Sequence, residues 1–294
     1  MRILLTGGSG QVGTALSRCL PALGELLAPA RSELDLDDPD ACAETVRRLR
    51  PDLLINAAAY TAVDAAEQDP ARAWRINAEA PAAMARALAA SGGWLLHYST
   101  DYVFDGQARL PYREDQPTAP LSVYGRSKRA GEEAIAASGC PHRILRTAWV
   151  YAAQGRNFLL TVLRLARERE SLRIVDDQIG SPTSAEALAV ATQALIPSLL
   201  RHPEADGLLH LSCAGQTSWA GFARAIVEGG ARRGLCPLRP VVGIPSQEYP
   251  TAAQRPAWSV LSGERLWQQH RLRLPDWPVA LERCLDQLAA QPPP

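Results

Sequence analysis

A tyrosine and a lysine stand four residues apart in the segment 124–128, which reads YGRSK. Residues at this spacing share one face of an α-helix, so the phenol of Tyr124 and the ammonium of Lys128 can point at the same place. A nearby ammonium favours phenolate and lowers the pKa of a tyrosine from its ordinary value of about 10. The pair therefore predicts a general acid that delivers a proton to an alkoxide forming on a carbonyl substrate.

The residue type at position 128 carries information of its own. Lys128 is the only lysine among the 31 basic residues of the chain, and all the others are arginine. The chain also has only three asparagines, at positions 56, 77 and 157. We interpret this bias as a coding background that removes lysine and asparagine wherever they are dispensable. An arginine could not replace Lys128 in the predicted role, because its planar fork and very high pKa suit it poorly.

A third catalytic group is expected at the end of the strand that precedes this helix. Ser99 and Thr100 both carry a hydroxyl there, at the edge where open parallel sheets bind their ligands. Such a hydroxyl would donate a hydrogen bond to the substrate carbonyl as it becomes an alkoxide. Successive strand residues point to opposite faces, so only one of the two should face the site. We favour Thr100, with Ser99 as the alternative.

A glycine loop predicts a dinucleotide cofactor. Gly7, Gly10 and Gly13 follow directly after an apolar strand and open a helix. Glycines let the backbone turn tightly and approach a pyrophosphate, whose charge the helix N-terminus favours.

The end of the second strand indicates which cofactor is used. Arg31 and Ser32 lie where an arginine accommodates the 2′-phosphate of NADP. Asp35 and Leu36 follow where they could flank the adenine. We therefore expect NADPH, with NADH as the alternative.

Strands and helices alternate through the first half of the chain. Strands are predicted at 3–5, 25–28, 52–56, 94–99 and 142–147, and helices at 11–23, 38–50, 70–91 and 122–138. This alternation predicts an α/β fold, a Rossmann-type doubly wound parallel sheet. We expect a dinucleotide-binding domain over residues 1–150, with returns to it near 183–213. Residues 151–294 should mainly form a smaller, loop-rich, substrate-binding lobe.

Composition excludes several classes of function. The 31 basic and 31 acidic residues balance, so the chain has no positive excess for gripping nucleic acid. No apolar run reaches the roughly 18 residues of a membrane span, and the N-terminal run is too short for a signal peptide. The six cysteines are scattered without metal-ligand spacing, so we expect reduced thiols and no metal. A cytoplasmic enzyme is expected.

Several motifs together resemble the dTDP-4-dehydrorhamnose reductase family of extended short-chain dehydrogenases/reductases. They are 10–13 (GQVG), 56–64 (NAAAYTAVD), 99–104 (STDYVF), 124–128 (YGRSK) and 146–151 (RTAWVY). The similarity continues through 155–158 (GRNF), 177–183 (DQIGSPT) and 255–256 (RP), and so covers nearly the whole chain. The resemblance implies NADPH-dependent reduction of the 4-keto group of dTDP-4-dehydro-L-rhamnose to dTDP-L-rhamnose.

The resemblance also implies roles for individual residues. Tyr124 would be the general acid, Lys128 its partner that also holds the nicotinamide ribose, and Thr100 the residue that orients the carbonyl. Further cofactor contacts would be Gly10, Gln11, Val12, Ala58, Ala59, Tyr60, Thr61 and Tyr98. Sugar-nucleotide contacts would be Thr100, Asp101, Tyr102, Trp149, Asn157 and Arg255.

Two positions depart from the pattern of some family members. Ala30 stands where some members have an acidic residue at the end of the second strand, so the cofactor preference is not inherited. Ala15 stands where some have a carboxylate for a magnesium site between two subunits, so no metal is carried over and either a monomer or a homodimer is expected. Two alternative functions remain at this point: a reductase or epimerase for another nucleotide-activated 4-keto sugar, and a dinucleotide-binding regulatory subunit of methionine adenosyltransferase type.

Overall fold

A parallel sheet forms the centre of the structure, a computed structural model that describes residues 1–201 and 207–291. The strands in chain order are β1 (Arg2–Thr6), β2 (Glu25–Leu27), β3 (Leu53–Asn56), β4 (Trp94–Thr100), β5 (His142–Thr147), β6 (Val150–Tyr151), β7 (Leu172–Val175), β8 (Ile179–Gly180), β9 (Thr183–Ser184), β10 (Gly207–His210), β11 (Thr217–Ser218) and β12 (Val241–Ile244). The helices are α1 (Gln11–Cys19), α2 (Pro39–Leu49), α3 (Val63–Gln68), α4 (Pro70–Trp74), α5 (Ala80–Ala89), α6 (Val123–Ala136), α7 (Phe158–Glu168), α8 (Ala185–Arg201), α9 (Trp219–Arg232), α10 (Glu264–His270) and α11 (Trp277–Ala289).

Six strands make up the central sheet in the order β10-β5-β4-β3-β1-β2, and every neighbouring pair is parallel. The chain therefore winds outward in two directions from the boundary between β1 and β3, and this change of direction places a ligand crevice at the carboxyl ends of those strands. The predicted Rossmann-type sheet is confirmed. β10 comes from the second half of the chain and extends the sheet beyond β5.

Alternation along β1 divides the core into two layers. Ile3 and Leu5 face one side, where α1 and α8 cover the sheet, and Leu4 faces the other side, where α2 and α5 cover it. Successive side chains of a strand point to opposite faces, so a sheet covered on both faces has continuously apolar strands.

Local signals fix the helix ends that the sequence predicted. The Asp38 side chain accepts a hydrogen bond from Ala41 N, and Pro39 occupies the first helical position of α2. Arg50 ends the helix in the left-handed region, at φ 43°. The predicted helix over 11–23 is shorter in the structure, because α1 ends at Cys19 and a 3₁₀ turn, Leu20–Ala22, follows it.

The alanine-rich stretch 70–91 was predicted to be one helix, but the structure divides it. A π-helical turn, Arg75–Glu79, separates α4 from α5, and Ala80 N bonds to Arg75 O, five residues back. Pro81 has no N–H to offer the carbonyl of Asn77, which an uninterrupted α-helix would require. Single π turns of this kind are frequent at functional sites.

A second hydrophobic core lies outside the central sheet. It joins α7, α9 and α11 around Leu159, Phe222 and Leu281, and three two-stranded sheets (β6-β9, β7-β12 and β8-β11) border it. Of the helices within residues 1–201 and 207–291, none combines the length and apolar character needed to cross a bilayer.

Candidate active site

A cavity of about 490 Å³ opens at the carboxyl ends of the central strands. Most of the predicted cofactor contacts line it, and they come from five separate stretches of the chain. They are Gly7, Gly10, Gln11, Val12, Arg31, Asp35, Leu36, Ala58, Ala59, Tyr60, Thr61, Tyr98, Tyr124 and Lys128. Gly13 and Ser32 are not among the lining residues, so the structure does not place these two on the cavity wall.

The glycine loop at one side of the cavity is shaped by close backbone approaches. Gly7 has a φ of +70°, and a Cβ there would lie 2.8 Å from Ala58 N. A Cβ on Gly13 would lie 1.9 Å from Gly7 O, so Gly13 serves the tight turn of the loop rather than the ligand. Gly10 begins α1 without a side-chain cap, which leaves the helix N-terminus open toward the loop. These features fit a pyrophosphate.

Two arginines lie at the far end of the same cavity. Arg31 follows β2 and pairs with Asp35 at 3.4 Å, whereas Arg72 belongs to α4 and pairs with Asp37 at 2.9 Å. Apolar side chains of Leu34, Leu36 and Ile76 line the cavity near them. An adenosine carrying a 2′-phosphate needs such a combination of apolar wall and positive charge. Arg31 could be predicted from its place after the second strand, whereas nothing in the sequence marks Arg72, in a separate helix, as its neighbour.

The predicted tyrosine lies in the first turn of α6. Ser122 begins the helix by accepting a hydrogen bond from Gly125 N at 3.1 Å. A Cβ at Gly125 would lie 2.2 Å from Tyr102 O, so glycine at this position lets the helix approach the loop after β4. Tyr124 is consequently almost buried, with its ring 5.5 Å from that of Tyr102 in an edge-to-face contact.

The hydroxyl of Thr100, and not that of Ser99, meets Tyr124. Thr100 Oγ1 donates to Asp101 Oδ1 at 3.0 Å and lies close enough to the phenol of Tyr124 to influence its pKa. Ser99 Oγ instead donates to Glu132 Oε1 at 2.6 Å, on the opposite face of β4. Strand alternation thus separates the two hydroxyls and leaves Thr100 beside Tyr124 and Asp101.

The pKa of Tyr124 does not follow the prediction made from its spacing to Lys128. Burial raises it well above the ordinary value, since the phenolate would lose its hydration, and the charge of Asp101 raises it further. The prediction that Lys128 lowers the pKa of Tyr124 was therefore wrong, because burial and the charge of Asp101 dominate. Burial lowers the pKa of Lys128 to about 8, with the charge of Glu132 opposing this shift. Tyr124 is held as a proton donor throughout the neutral range.

Lys128 is tied to the strand beneath it. Its Nζ donates to Tyr98 O at 2.7 Å and lies 3.1 Å from His97 Nε2, and the side chain has almost no exposed surface. Tyr98, for its part, directs its phenol hydroxyl to Thr192 on α8, at 2.6 Å. Lys128 is thus anchored from below, one helical turn along from Tyr124.

Asn77 connects α6 to the wall of the cavity. Its Oδ1 accepts from Tyr60 N at 2.8 Å, and its Nδ2 donates to Tyr60 O at 3.1 Å and to Ser127 Oγ at 3.0 Å. The π-helical turn presents this side chain to both segments. Asn77 therefore fixes the 57–62 loop relative to the helix that carries Tyr124 and Lys128. It was singled out in the sequence only by the scarcity of asparagine.

Asp101, Tyr102 and Arg255 lie together beyond Tyr124. Arg255, from the segment between β12 and α10, pairs with Asp64 at 2.6 Å and donates to Tyr102 Oη at 3.3 Å. Asp101 is buried, and the loss of hydration raises its pKa to about 6 against the hydrogen bond from Thr100. Asp101, Tyr102 and Arg255 are not among the residues that line the cavity.

Trp149 lies between β5 and β6. Its φ of +49° is unusual for a bulky residue, and such strain is common at ligand sites. Its ring stacks on Trp219 with centroids 3.5 Å apart, and a Cβ on Gly180 would lie 2.4 Å from it. Trp219 could not be predicted as a neighbour of Trp149, because it lies 70 residues further along the chain.

Asn157 has a role in the structure that differs from the predicted ligand contact. It caps α7 by accepting from Leu160 N at 3.0 Å, and its Nδ2 donates to Gln11 Oε1 and Ala152 O, each at 2.9 Å. Its amide is therefore used within the protein, where it joins the start of α7 to the glycine loop.

The side chains that could ligate a metal are dispersed. Within residues 1–201 and 207–291, no three His, Cys, Asp or Glu side chains are grouped in a way that could hold a metal ion. All six cysteines are free, and burial raises the pKa of the thiols at Cys42 and Cys140 to about 12.

A doubly wound sheet, a glycine loop at the first strand and a tyrosine and lysine one turn apart on α6 define the short-chain dehydrogenase/reductase class. Comparison with known proteins identifies the family within this class. Residues 1–290 match the family described as "RmlD substrate binding domain". A dTDP-4-dehydrorhamnose reductase of Burkholderia thailandensis is 48% identical over 99% of this chain and 100% of its own length, and one of Escherichia coli K12 is 45% identical over 98% of each.

A solved structure agrees with these relatives. The dTDP-4-dehydrorhamnose reductase of Bacillus anthracis, crystallised in complex with NADP, superposes with a TM-score of 0.89 and is 34% identical, over 97% of this chain and 99% of its own. The chain belongs to the dTDP-4-dehydrorhamnose reductase family, a family of NADPH-dependent oxidoreductases.

Proposed function

We propose that this chain reduces the 4-keto group of dTDP-4-dehydro-L-rhamnose with NADPH, giving dTDP-L-rhamnose. The proposal rests on the grouping of Tyr124, Thr100 and Asp101 at the carboxyl ends of the sheet, beside the cavity that fits the cofactor. The full-length similarity to reductases named for this substrate supports the choice of sugar nucleotide.

Tyr124 is the proton donor in this proposal. NADPH, when bound, supplies the hydride that adds to C4 of the sugar. Tyr124 gives its phenolic proton to the C4 oxygen, so that the carbonyl becomes a secondary alcohol and the phenol becomes a phenolate. The raised pKa of Tyr124 keeps the donor protonated before the step, and general acid catalysis of this kind contributes roughly 10²–10⁴-fold to the rate.

Thr100 and Lys128 support the proton transfer. Thr100 positions the phenol of Tyr124 and, once its own proton turns away from Asp101, can donate to the C4 oxygen. Lys128 borders the cavity one turn along α6 and would hold the ribose of the nicotinamide.

We assign recognition of the sugar to side chains in the neighbourhood of Tyr124 and Thr100. They are Asp101, Tyr102 and Arg255 near Tyr124, together with Trp149 and its stacked partner Trp219. Two lobes are proposed accordingly: residues 1–150 with a return near 183–213 bind the dinucleotide, and residues 151–294 mainly bind the sugar nucleotide. The free, buried cysteines favour a reducing compartment, and we propose the cytoplasm.

Preference for NADPH over NADH is expected to depend on both arginines of the adenosine end. Arg31→Ala and Arg72→Ala should each raise the KM for NADPH by about 10- to 100-fold, because a hydrogen bond to a charged group contributes about 1.5–3 kcal/mol. The KM for NADH should change by less than threefold. Initial rates with each cofactor measure this.

Arg47→Ala is the matched control for these two variants. Arg47 is an exposed arginine that pairs with Glu44 on α2, outside the cavity. Equal losses with NADPH and NADH in Arg31→Ala and Arg72→Ala would contradict the assignment of this end to the 2′-phosphate.

Turnover with the sugar nucleotide tests the proposed function as a whole. The purified protein is incubated with NADPH and with dTDP-4-dehydro-L-rhamnose generated in situ, and the product is identified. Oxidation of NADPH together with dTDP-L-rhamnose is the expected result. Activity only on another nucleotide-activated 4-keto sugar would move the substrate assignment, and dinucleotide binding without turnover of any such sugar would favour a regulatory role.

A further inference from the structure

A histidine that the proposed reaction does not use lies directly beneath Lys128. His97 is in β4, three residues before Thr100, and it has no exposed surface. Its Nε2 lies 3.1 Å from Lys128 Nζ, and its Nδ1 lies 2.9 Å from Asn56 Nδ2. Each ring nitrogen of His97 thus faces a nitrogen of another side chain. In each pair one nitrogen must donate a proton and the other must accept it, so the question is which one carries the proton between His97 and Lys128.

The orientation of Asn56 is fixed by its other contacts. Asn56 Oδ1 accepts from Ala58 N at 3.3 Å and from Thr6 Oγ1 at 2.6 Å. A backbone N–H is a donor only, so the atom that faces Ala58 N must be the amide oxygen. The NH₂ group of Asn56 therefore points at His97 Nδ1, and an amide NH₂ can only donate.

The contact with Asn56 determines which nitrogen of His97 carries a proton. Burial places the pKa of His97 well below its ordinary value, and the charges of Lys128 and His142 lower it further, so the imidazole is neutral. A neutral imidazole has one N–H, and Nδ1 must be the acceptor for Asn56. The proton consequently lies on Nε2 and points at Lys128.

An N–H directed at Lys128 disfavours its ammonium form, which has three donors and no lone pair. Lys128 Nζ also donates to Tyr98 O, at 2.7 Å. The charged and titratable groups that face the pair are Glu132, which favours the ammonium, and His142, which acts on His97. The carboxylate of Glu132 is itself bound by Arg146 and Arg129, at 2.6 and 3.0 Å, so its influence on Lys128 is partly neutralised.

We propose that Asn56 and His97 are positioning residues for Lys128: Asn56 fixes His97 as the Nε2–H tautomer, and this N–H holds Lys128 Nζ with its lone pair toward β4. The proposal deepens the proposed function, on which it rests for the role of Lys128. The same contacts bring the pKa of Lys128 into the neutral to mildly alkaline range. Lys128 can then gain and lose a proton at the working pH, as the phenolate of Tyr124 is formed and removed.

The composition of the chain provides a direct test, because Lys128 is its only lysine. Protein grown with ¹³Cε-labelled lysine gives a single side-chain resonance, and its pH titration reports the pKa of Lys128 without any assignment. The wild-type protein should titrate at about pH 8 or below. In His97→Gln the amide oxygen can accept from the ammonium, and the titration should move upward by roughly one pH unit or more, a tenfold change in the ratio of ammonium to amine.

His142→Gln is the matched control. It removes a neighbouring buried imidazole that bonds to Cys140 O and not to Lys128, so its titration should move less than that of His97→Gln. A wild-type resonance that titrates near the ordinary 10.5, or a shift in His97→Gln no larger than in His142→Gln, would overturn the proposal. If His97→Gln does not fold, Asn56→Leu carries the same test, since loss of the NH₂ donor frees Nε2 to accept from Lys128.

Turnover gives a second readout that a purely structural role would not move. The alkaline limb of the kcat–pH profile should shift upward in His97→Gln in parallel with the lysine resonance, and an unshifted limb would contradict the link to the reaction. The titration itself needs neither substrate nor cofactor. Failure of this inference is therefore distinguishable from failure of the proposed reductase function.

Discussion

Tyr124→Phe is expected to lower kcat by roughly 10²–10⁴-fold, the contribution of a positioned general acid. Phenylalanine keeps the ring and its edge-to-face contact with Tyr102, and it removes only the hydroxyl that meets Thr100. The fold and the affinity for NADPH should therefore be retained. Steady-state rates and a fluorescence titration with NADPH measure the two effects separately.

Tyr151→Phe is the control for this substitution. Tyr151 is another buried tyrosine, in the second hydrophobic core and away from the cavity, so loss of its hydroxyl should leave kcat within a few-fold of the wild-type value. Near-normal turnover by Tyr124→Phe would remove Tyr124 as the proton donor. An equal loss in both variants would attribute the effect to the loss of a buried hydroxyl rather than to chemistry.

Glu132→Gln is expected to lower the free energy of unfolding by about 3–5 kcal/mol, because it leaves a buried guanidinium without its counter-charge. Glu132 and Arg146 are both almost fully buried and form two parallel hydrogen bonds of 2.8 and 2.6 Å. Ser99 and Arg129 complete the bonding of the carboxylate. This cluster joins α6 to β4 and β5 below the catalytic groups. Urea unfolding of the two proteins measures the difference.

The exposed neighbour Glu133 supplies the control. It pairs with Arg129 at 2.9 Å on the surface of α6, and Glu133→Gln should cost less than about 1 kcal/mol. Equal stabilities of Glu132→Gln and Glu133→Gln would show that the buried pair contributes little.

The cluster around Glu132 and Arg146 should also make the stability of the protein depend on pH. Burial alone would raise the pKa of Glu132, but the hydrogen bonds and charge of Arg146, with bonds from Ser99 and Arg129, outweigh it and leave the pKa below its ordinary 4.5. A group whose pKa is lowered on folding stabilises the protein above the pKa of the unfolded state, and this stabilisation is lost as the pH falls through the folded pKa. The wild-type protein should therefore lose part of its stability below about pH 4.5, and Glu132→Gln should lack that component.

The parts of the site that sequence could predict are those encoded within a short segment. Gly7, Gly10 and Gly13 lie within one loop, and Tyr124 and Lys128 within one helical turn, so spacing alone places them. Strand alternation also separated Thr100 from Ser99 in advance. In each case the local backbone geometry carries the relationship between the residues.

Residues brought in from distant elements were missed. Arg72 joins Arg31 only because α4 lies beside the end of β2, and Trp219 reaches Trp149 only because α9 packs beside the second-lobe end of the site. The π-helical turn that directs Asn77 to Tyr60 and Ser127 was also not predicted, because alanine-rich sequence favours a continuous α-helix. Tertiary contacts decide these features, and a single sequence does not contain them.

The prediction of the pKa of Tyr124 was wrong for a related reason. Spacing to Lys128 predicted an ammonium close enough to lower it, whereas burial of the phenol dominates and the Lys128 ammonium is directed toward Tyr98 O. Burial depends on how closely α6 approaches the loop after β4, which Gly125 permits. The spacing of Tyr124 and Lys128 can be taken from the sequence, whereas the electrostatic balance between them depends on the fold.

Transfer of deuterium from labelled cofactor is the most direct test of the proposed reduction. The protein is incubated with NADPH carrying deuterium at both C4 positions of the nicotinamide and with dTDP-4-dehydro-L-rhamnose generated in situ, and the product is examined by NMR. We expect dTDP-L-rhamnose with one deuterium at C4 of the sugar, formed rapidly by the wild-type protein and far more slowly by Tyr124→Phe. A product without deuterium at C4, or no dTDP-L-rhamnose from protein that binds NADPH, would contradict the proposed reduction.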